Sequence, residues 1–295
     1  MSARLWIEGE RMIIGVVGLG LIGGSMAKAI KENTSHTVLG FDVKVSEIYA
    51  AELVGSVDAS LDEKNIGECD FVIVAAYPQG TIDYVKENAA RFKRSAIVVD
   101  CGGTKQKVCS ELYPVADKNG FEFIGGHPMA GVQYSGFRHS RANLYKGATM
   151  LLAPQDKTSI PVREKARDLF LEIGFGRVQF TTPQQHDRVI GYTSQLPHII
   201  SNAYVKSPNA LEQRGFSAGS YKDLSRVARL NEPMWTELFL ENRENIIFEI
   251  DTLIDNLKQY SDAIKANDSE RLIELLRDGT QKKERADKGA ANSKN

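Results

Sequence analysis

Val16-Val17-Gly18-Leu19-Gly20-Leu21-Ile22-Gly23-Gly24-Ser25 decides the fold. The apolar run Met12–Val17 leads into it and reads as a buried strand, and Leu21–Lys31 leads out of it at helical spacing. A G-x-G-x-x-G run between strand and helix is the dinucleotide-binding fingerprint in the context that gives it meaning. Gly18 permits the tight turn, Gly20 lets backbone approach a pyrophosphate, and Gly23 lets helix and strand pack closely. Free N–H groups at the helix start face the anion. Gly18, Leu19, Gly20, Leu21, Ile22 and Gly23 are therefore the expected cofactor contacts. Asp42 ends the next apolar run, 24 positions after Gly18. A carboxylate there accepts from the adenosine ribose hydroxyls and repels a 2′-phosphate, which favours NAD over NADP. Lys44, two residues on, softens that preference.

The same alternation continues along the first half. Short continuous apolar runs recur at Thr37–Asp42, Phe71–Ala76, Ala96–Asp100, Phe121–Ile124, Thr149–Ala153 and Arg177–Phe180. Helical spacing separates them at Ser46–Leu53, Thr81–Ala90, Lys105–Asp117 and Val162–Ile173. Strands that are apolar throughout have both faces covered, so the expected fold is α/β with a mostly parallel sheet. Beyond Thr182 no strand is expected. Gln184–Val205 reads as a helix kinked or broken by Pro197, and one long amphipathic helix is expected from Trp235 to Leu257. A short helix follows at Asp268–Arg277, with Gly279 after its end. The expected layout is an α/β domain over residues 1–182, an all-helical domain over 183–280 and a disordered tail over 281–295. The long helix needs a cover for its apolar stripe, and a second copy of the chain supplies one.

Composition narrows the function classes. The 295 residues are 42% hydrophobic, enough to bury a core. Lysine and arginine number 37 against 38 aspartate and glutamate, a balance that points to neither nucleic acid nor an anionic membrane as partner. No apolar run approaches the roughly 18 residues of a membrane span. Residues 1–11 carry both signs of charge and do not read as a secretory signal. Cys69, Cys101 and Cys109 read as reduced thiols of a cytoplasmic protein, and no cluster has metal-ligand spacing.

Two further segments sit at strand carboxyl ends, where ligands bind in such sheets. Tyr77-Pro78 follows Phe71–Ala76 and fits either the lining of a cofactor cleft or a plain turn. Gly125-Gly126-His127-Pro128-Met129-Ala130-Gly131 follows Phe121–Ile124 as a loop of small residues around one histidine. His127 fits a proton acceptor working near neutral pH, or a histidine that caps a turn.

With the glycine loop and the His127 segment, Ser194-Gln195-Leu196-Pro197-His198 and Tyr221-Lys222-Asp223-Leu224-Ser225-Arg226-Val227-Ala228 follow in order. Together they resemble the prephenate/arogenate dehydrogenase family of tyrosine biosynthesis. The resemblance runs from about Met12 to about Tyr260. It implies a Rossmann domain followed by a helical domain that mediates homodimerisation. It implies NAD-linked oxidation of prephenate to 4-hydroxyphenylpyruvate, or of arogenate to tyrosine, with loss of carbon dioxide. His127 then corresponds to the histidine that takes the proton of the ring 4-hydroxyl. Arg226 corresponds to the arginine that grips a substrate carboxylate, and His198 and Trp235 to residues lining the substrate site. Asp223 is expected to orient Arg226 or contact a neighbour. Taken without the resemblance, the Arg226 stretch equally fits a solvated helix face, Trp235 fits core, and His198 fits a satisfied buried histidine.

Two positions depart from the family pattern. Gly103 stands where a serine is common, so Thr104, Cys101 or a water is expected to take over the contact with the substrate hydroxyl. Gln195 stands where a histidine is frequent. His36, His139 and His186 show no partner spacing. No chorismate mutase segment and no regulatory domain are expected, so the chain reads as monofunctional. Two other readings stand beside the family one. A β-hydroxyacid or pyrroline-carboxylate reductase also joins a Rossmann domain to a helical one, but lacks the Gly-Gly-His-Pro-Met-Ala-Gly segment. A non-catalytic nicotinamide sensor needs neither His127 nor Arg226.

Overall fold

The computed structural model describes residues 11–132 and 134–292; residues 1–10, the first part of the expected α/β domain, and 293–295 of the expected tail lie outside it. Strand β1 (Ile13–Val17) feeds helix α1 (Leu21–Asn33) through the glycine loop. The chain continues as β2 (Thr37–Phe41), α2 (Val45–Leu53), β3 (Ala59–Ser60), β4 (Phe71–Val74), α3 (Pro78–Asn88), β5 (Ile97–Asp100), α4 (Gln106–Asn119) and β6 (Glu122–Pro128). After β7 (Thr149–Ala153), α5 (Ile160–Ile173) and β8 (Arg177–Phe180), the described residues are helical or irregular.

The eight strands form one sheet in the order β3-β2-β1-β4-β5-β6-β7-β8. Pairing is parallel from β3 to β6 and between β7 and β8, but antiparallel between β6 and β7. Each central strand sends alternate residues to two separate cores. Ile14, Val16, Phe71, Ile73, Val99 and Ile124 pack into one. Val17, Val72, Val74, Val98 and Phe123 pack into the other. Both faces are covered, which is why these strands read as unbroken apolar runs. The two-residue β3 has no such run and both its residues are exposed, so the sequence does not announce it.

Strand order reverses between β1 and β4, so a crevice opens beside the carboxyl ends of these two strands. The glycine loop stands at one side of it, and Tyr77, the N-cap of α3, at the other.

The helical part breaks before Pro197 as expected and differs from expectation in two places. The Gln184–Val205 helix is divided into α6 (Pro183–Ile190), a widened i→i+5 turn at Gly191–Gln195, and α7 (Leu196–Tyr204). Pro197 has no N–H to give the carbonyl four residues back, and the turn before it widens. After α8 (Gly219–Ser225), the long helix is interrupted: α9 (Glu232–Glu241) and α10 (Arg243–Lys265) meet at Asn242. Asn242 is buried and leaves helical geometry at φ −107° and ψ 26°. Its amide donates to the Asp187 carbonyl at 2.8 Å and to Gln195 Oε1 at 2.5 Å. Its backbone N–H still donates to the Leu238 carbonyl at 3.2 Å, so the side-chain bonds add to the end of α9. The last helix, α11, runs from Ser269 to Asn292, through Gly279 and most of the tail expected to be disordered. Its continuation is rich in good helix formers and carries the i,i+4 pairs Lys282–Asp278 and Lys283–Asp287.

By compactness, α6 to α9 pack in one unit with the sheet, which runs to Arg243, and the described residues from Glu244 onward form a second unit. In that second unit a turn at Asn267, in left-handed geometry at φ 51°, joins α10 to α11, and Tyr260 Oη donates to the Leu275 carbonyl.

Candidate active site

At the end of β1, Gly18 has φ +83°. A Cβ on Gly23 would lie 1.9 Å from the Gly18 carbonyl oxygen, so helix and loop touch only because residue 23 is glycine. A Cβ on Gly20 would meet nothing within 4 Å, and Gly20 caps α1 with no side-chain bond. An open approach over a helix N-terminus is what a pyrophosphate requires. Asp42 faces the same loop. Its Oδ2 accepts from the Leu19 N–H at 2.7 Å and its Oδ1 from the Lys44 N–H at 2.9 Å. Lys44 thus meets Asp42 through its backbone.

The next layer of the site is buried. Asp100, at the end of β5, is paired with the Lys105 ammonium, and both side chains are almost wholly excluded from water. Asp100 also accepts from the Gly102 and Gly126 N–H groups at 2.8 and 2.9 Å, which ties β5, β6 and the approach to α4 together. Such a pair must be satisfied on every side, because a lone buried charge is strongly destabilising.

His127 lies within β6, paired with Leu151 of β7, and not in the loop expected after Ile124. The antiparallel β7 holds it in the sheet. It remains partly exposed at the carboxyl edge of β6, the edge on which the parallel β1 ends in the glycine loop. His127 Nδ1 meets His186 Nε2 at 2.9 Å, and His186 Nδ1 meets Asp187 Oδ1 at 2.7 Å. Burial, His186 and Lys105 together push His127 well below the ordinary imidazole range. Burial also lowers His186, against the opposing effect of Asp187.

A second group forms on the helices. The His198 ring packs on Trp235 with centroids 4.1 Å apart, and Ser194 O lies 2.7 Å from His198 Nδ1. Burial and the nearby Arg226 charge lower His198, while its contact with Ser194 raises it. Arg226 itself is exposed at the end of α8. The segment 183–204 carries both His186 and His198, so one stretch of chain supplies both groups.

Comparison with known proteins shows the family. The family model for the prephenate dehydrogenase nucleotide-binding domain matches residues 26–179, and the one for the prephenate dehydrogenase dimerization domain matches residues 182–278. This chain belongs to the prephenate dehydrogenase family. The prephenate dehydrogenase of Bacillus subtilis is 30% identical over 271 residues, 89% of this chain and 72% of that one. The cyclohexadienyl dehydrogenase of Zymomonas mobilis is 27% identical over 280 residues, 90% of this chain and 92% of that one. A crystal structure of A. aeolicus prephenate dehydrogenase in complex with hydroxyphenyl propionate and NAD+ superposes with a TM-score of 0.82 at 28% identity. It covers 94% of this chain and 99% of that one.

Within this family member, several expected contacts fall elsewhere. Thr104 is buried and donates its hydroxyl proton to Glu241 Oε2 at 2.6 Å, which ties the loop after β5 to α9. A Cβ on Gly103 would lie 3.1 Å from Leu238 Cδ2, so the volume of the missing side chain is filled by Leu238. Asp223 makes no ion pair with Arg226 among the described residues; both are exposed and neither holds the other. Tyr77 is 49% exposed at the crevice, and Pro78 opens α3, whose Gln79 N–H donates to Glu237 at 2.7 Å. Gln195 is buried and tied to Asn242 and the Leu238 carbonyl. Sequence reading missed His186, Asp187 and the Asp100–Lys105 pair.

Gly126 is the tightest point beside His127. A Cβ there would lie 2.2 Å from the Asp100 carbonyl oxygen and 2.6 Å from Val99 Cγ1. Backbone cannot give way as a side-chain tip can. Gly126→Ala should therefore cost about 1–3 kcal/mol or more, read as a lower melting temperature; an unchanged melting curve would show that β5 and β6 can separate freely.

Proposed function

We propose that this chain oxidises and decarboxylates prephenate to 4-hydroxyphenylpyruvate with NAD as hydride acceptor, in tyrosine biosynthesis. The observation that carries the proposal is a partly exposed imidazole, His127, at the carboxyl edge of the sheet that bears the glycine loop. The loop fits a dinucleotide: open space over Gly20, an uncapped α1 N-terminus and Asp42 beside it. When bound, the nicotinamide supplies the hydride acceptor.

His127 takes the proton of the ring 4-hydroxyl as the hydride leaves the same carbon. To accept it, the imidazole must start neutral, and its burial beside His186 and Lys105 keeps it so. Arg226 presents a guanidinium fork that matches a carboxylate. His198 and Trp235 offer a flat, half-buried surface for the rest of the substrate. Leu238 over Gly103 makes the wall beside Thr104 apolar. We further propose a homodimer. The dimerization-domain match and exposed Ile247, Phe248, Ile254, Leu257, Ile273 and Leu276 support it. No helix among the described residues is long and apolar enough to cross a membrane.

The deciding experiment follows the absorbance of reduced cofactor with prephenate and arogenate offered separately, each with NAD and with NADP. Turnover with prephenate and NAD is expected. Turnover with arogenate alone would move the activity to the transaminated substrate. Binding of NAD with no turnover of either would favour a nicotinamide sensor. The cofactor choice has its own test. Asp42→Asn removes the charge but keeps an oxygen for the Leu19 N–H. Loss of one hydrogen bond to a charged group, about 1.5–3 kcal/mol, should shift the NAD-to-NADP ratio of kcat/KM by roughly 10–100-fold towards NADP. An unchanged ratio would mean that another residue reads the ribose.

A further inference from the structure

His186 and Asp187 lie behind His127. The His186 side chain is fully buried, and that of Asp187 nearly so. Asp187 is held from three sides. Its Oδ1 accepts from the Lys105 N–H at 2.7 Å and its Oδ2 from the Gln106 N–H at 2.8 Å, both at the start of α4. Its backbone carbonyl accepts from Asn242. A carboxylate that already accepts two backbone N–H groups offers His186 lone pairs. His186 Nδ1 must then be the donor of the 2.7 Å bond. In a neutral His186 that leaves a lone pair on Nε2, and His127 Nδ1 must supply the proton of the 2.9 Å bond. The proton of neutral His127 is thereby placed on Nδ1, and Nε2 is left as its basic atom.

The charges around the pair fit the same scheme. Lys105 faces both histidines and opposes positive charge on each. The Asp100 carboxylate is already paired with Lys105. Asp187 makes no ion pair with a lysine or arginine among the described residues. Its negative charge, in direct contact with His186, favours the protonated ring more strongly than that of the more distant Asp100. A desolvated imidazole that must become an imidazolium needs such a counter-charge, and here it is reached through a second ring.

We propose that His186 and Asp187 are positioning residues: they fix the proton of His127 on Nδ1, leave Nε2 as the base, and share the positive charge that arises when His127 is protonated. The proposal rests on the dehydrogenase reading. In the step itself the substrate O–H bond breaks and its proton joins His127 Nε2. The electron pair left on oxygen forms the second C–O bond as the hydride departs from that carbon. The proton on His127 Nδ1 is drawn towards His186 Nε2, and the proton on His186 Nδ1 towards Asp187.

The test uses the full chain in two variants. Asp187→Asn removes the counter-charge, and also one acceptor at the start of α4, so its folding is checked by melting. His186→Gln leaves Asp187 in place and keeps an acceptor for the His127 Nδ1–H, but cannot share the charge. Both should keep KM for prephenate and for NAD within about threefold while kcat falls roughly 10–100-fold, a part of the roughly 10²–10⁴-fold that a positioned proton acceptor supplies. In both, the acid limb of kcat should move to lower pH. A protonated His127 without its counter-charge is harder to form, so its pKa falls and the neutral form persists further into acid. A merely structural role would not move that limb. Unchanged kcat with the limb in place overturns the proposal, as does a loss confined to KM.

A second readout does not depend on turnover. Nitrogen-15 spectra of the histidine rings in the wild-type protein should show both His127 and His186 protonated at Nδ1. A proton on His127 Nε2 overturns the proposal even if the enzyme is active. The stated tautomers in a chain that turns over neither prephenate nor arogenate support the hydrogen-bonded arrangement and place the failure in the dehydrogenase reading.

Discussion

His127→Asn should lower turnover by roughly 10²–10⁴-fold, the range that a positioned proton acceptor supplies. NAD affinity should stay within about twofold, because the glycine loop lies on β1 and His127 on β6, separated by β4 and β5. Asparagine can still donate to His186 Nε2, so the buried hydrogen bond at 2.9 Å has a replacement and the fold has no reason to fail. The pair of measurements is steady-state turnover and NAD titration on the same preparation. Loss of both would mean that the substitution damages the sheet. Loss of neither would remove His127 from the reaction. The wild-type pH profile carries the same argument. His127 works neutral, and burial, His186 and Lys105 push it well below the ordinary imidazole value. Activity should fall as pH drops through that lowered value, so the acid limb should lie below about pH 6.5. A limb at or above the ordinary value would show that substrate, or a group other than His127, titrates in this range.

The sheet and its cofactor loop were legible because their causes are local. Gly18, Gly20 and Gly23 act within six residues, and the apolar runs on both sides have one reading once both faces of the sheet are covered. Pro197 signalled a break in the helix for the same reason, since a missing N–H acts one turn away. The remainder depends on partners far along the chain. Asn242 looks like one more position of an amphipathic helix, and it ends α9 only because Asp187 and Gln195 receive its amide. Thr104 looks free beside Gly103 until Glu241, 137 residues later, takes its hydroxyl. His186 lies 59 residues from His127, and no spacing rule joins them. The adjacent His186-Asp187 dipeptide was the one available signal, because a carboxylate next to a histidine can set its tautomer. In the sequence Lys105 marks only the start of a helix, and the fold alone turns its ammonium inward to Asp100.

Arg226→Gln should raise the KM for prephenate by roughly 10–100-fold, the worth of about 1.5–3 kcal/mol in a charge-assisted carboxylate contact. The guanidinium is free for that work. Among the described residues it forms no ion pair, and neighbouring Asp223, which could have occupied it, does not. An exposed arginine on a helix face would ordinarily change nothing when replaced. A large effect on KM therefore separates a carboxylate clamp from a solvated surface residue. Arg226→Lys should restore only part of the affinity, because an ammonium supplies a point charge where two parallel N–H donors are needed. The NAD constant should be unaffected by either change. His198 provides an internal control on the same variants. Arg226 pushes its ring towards the neutral form, so removing the guanidinium should raise the His198 pKa, followed as its ring signals titrate. In Arg226→Lys the positive charge remains and His198 should titrate close to wild type. Weak substrate binding with an unchanged His198 in the lysine variant would then isolate geometry as the cause. Full recovery of KM by lysine would reduce Arg226 to a source of charge alone.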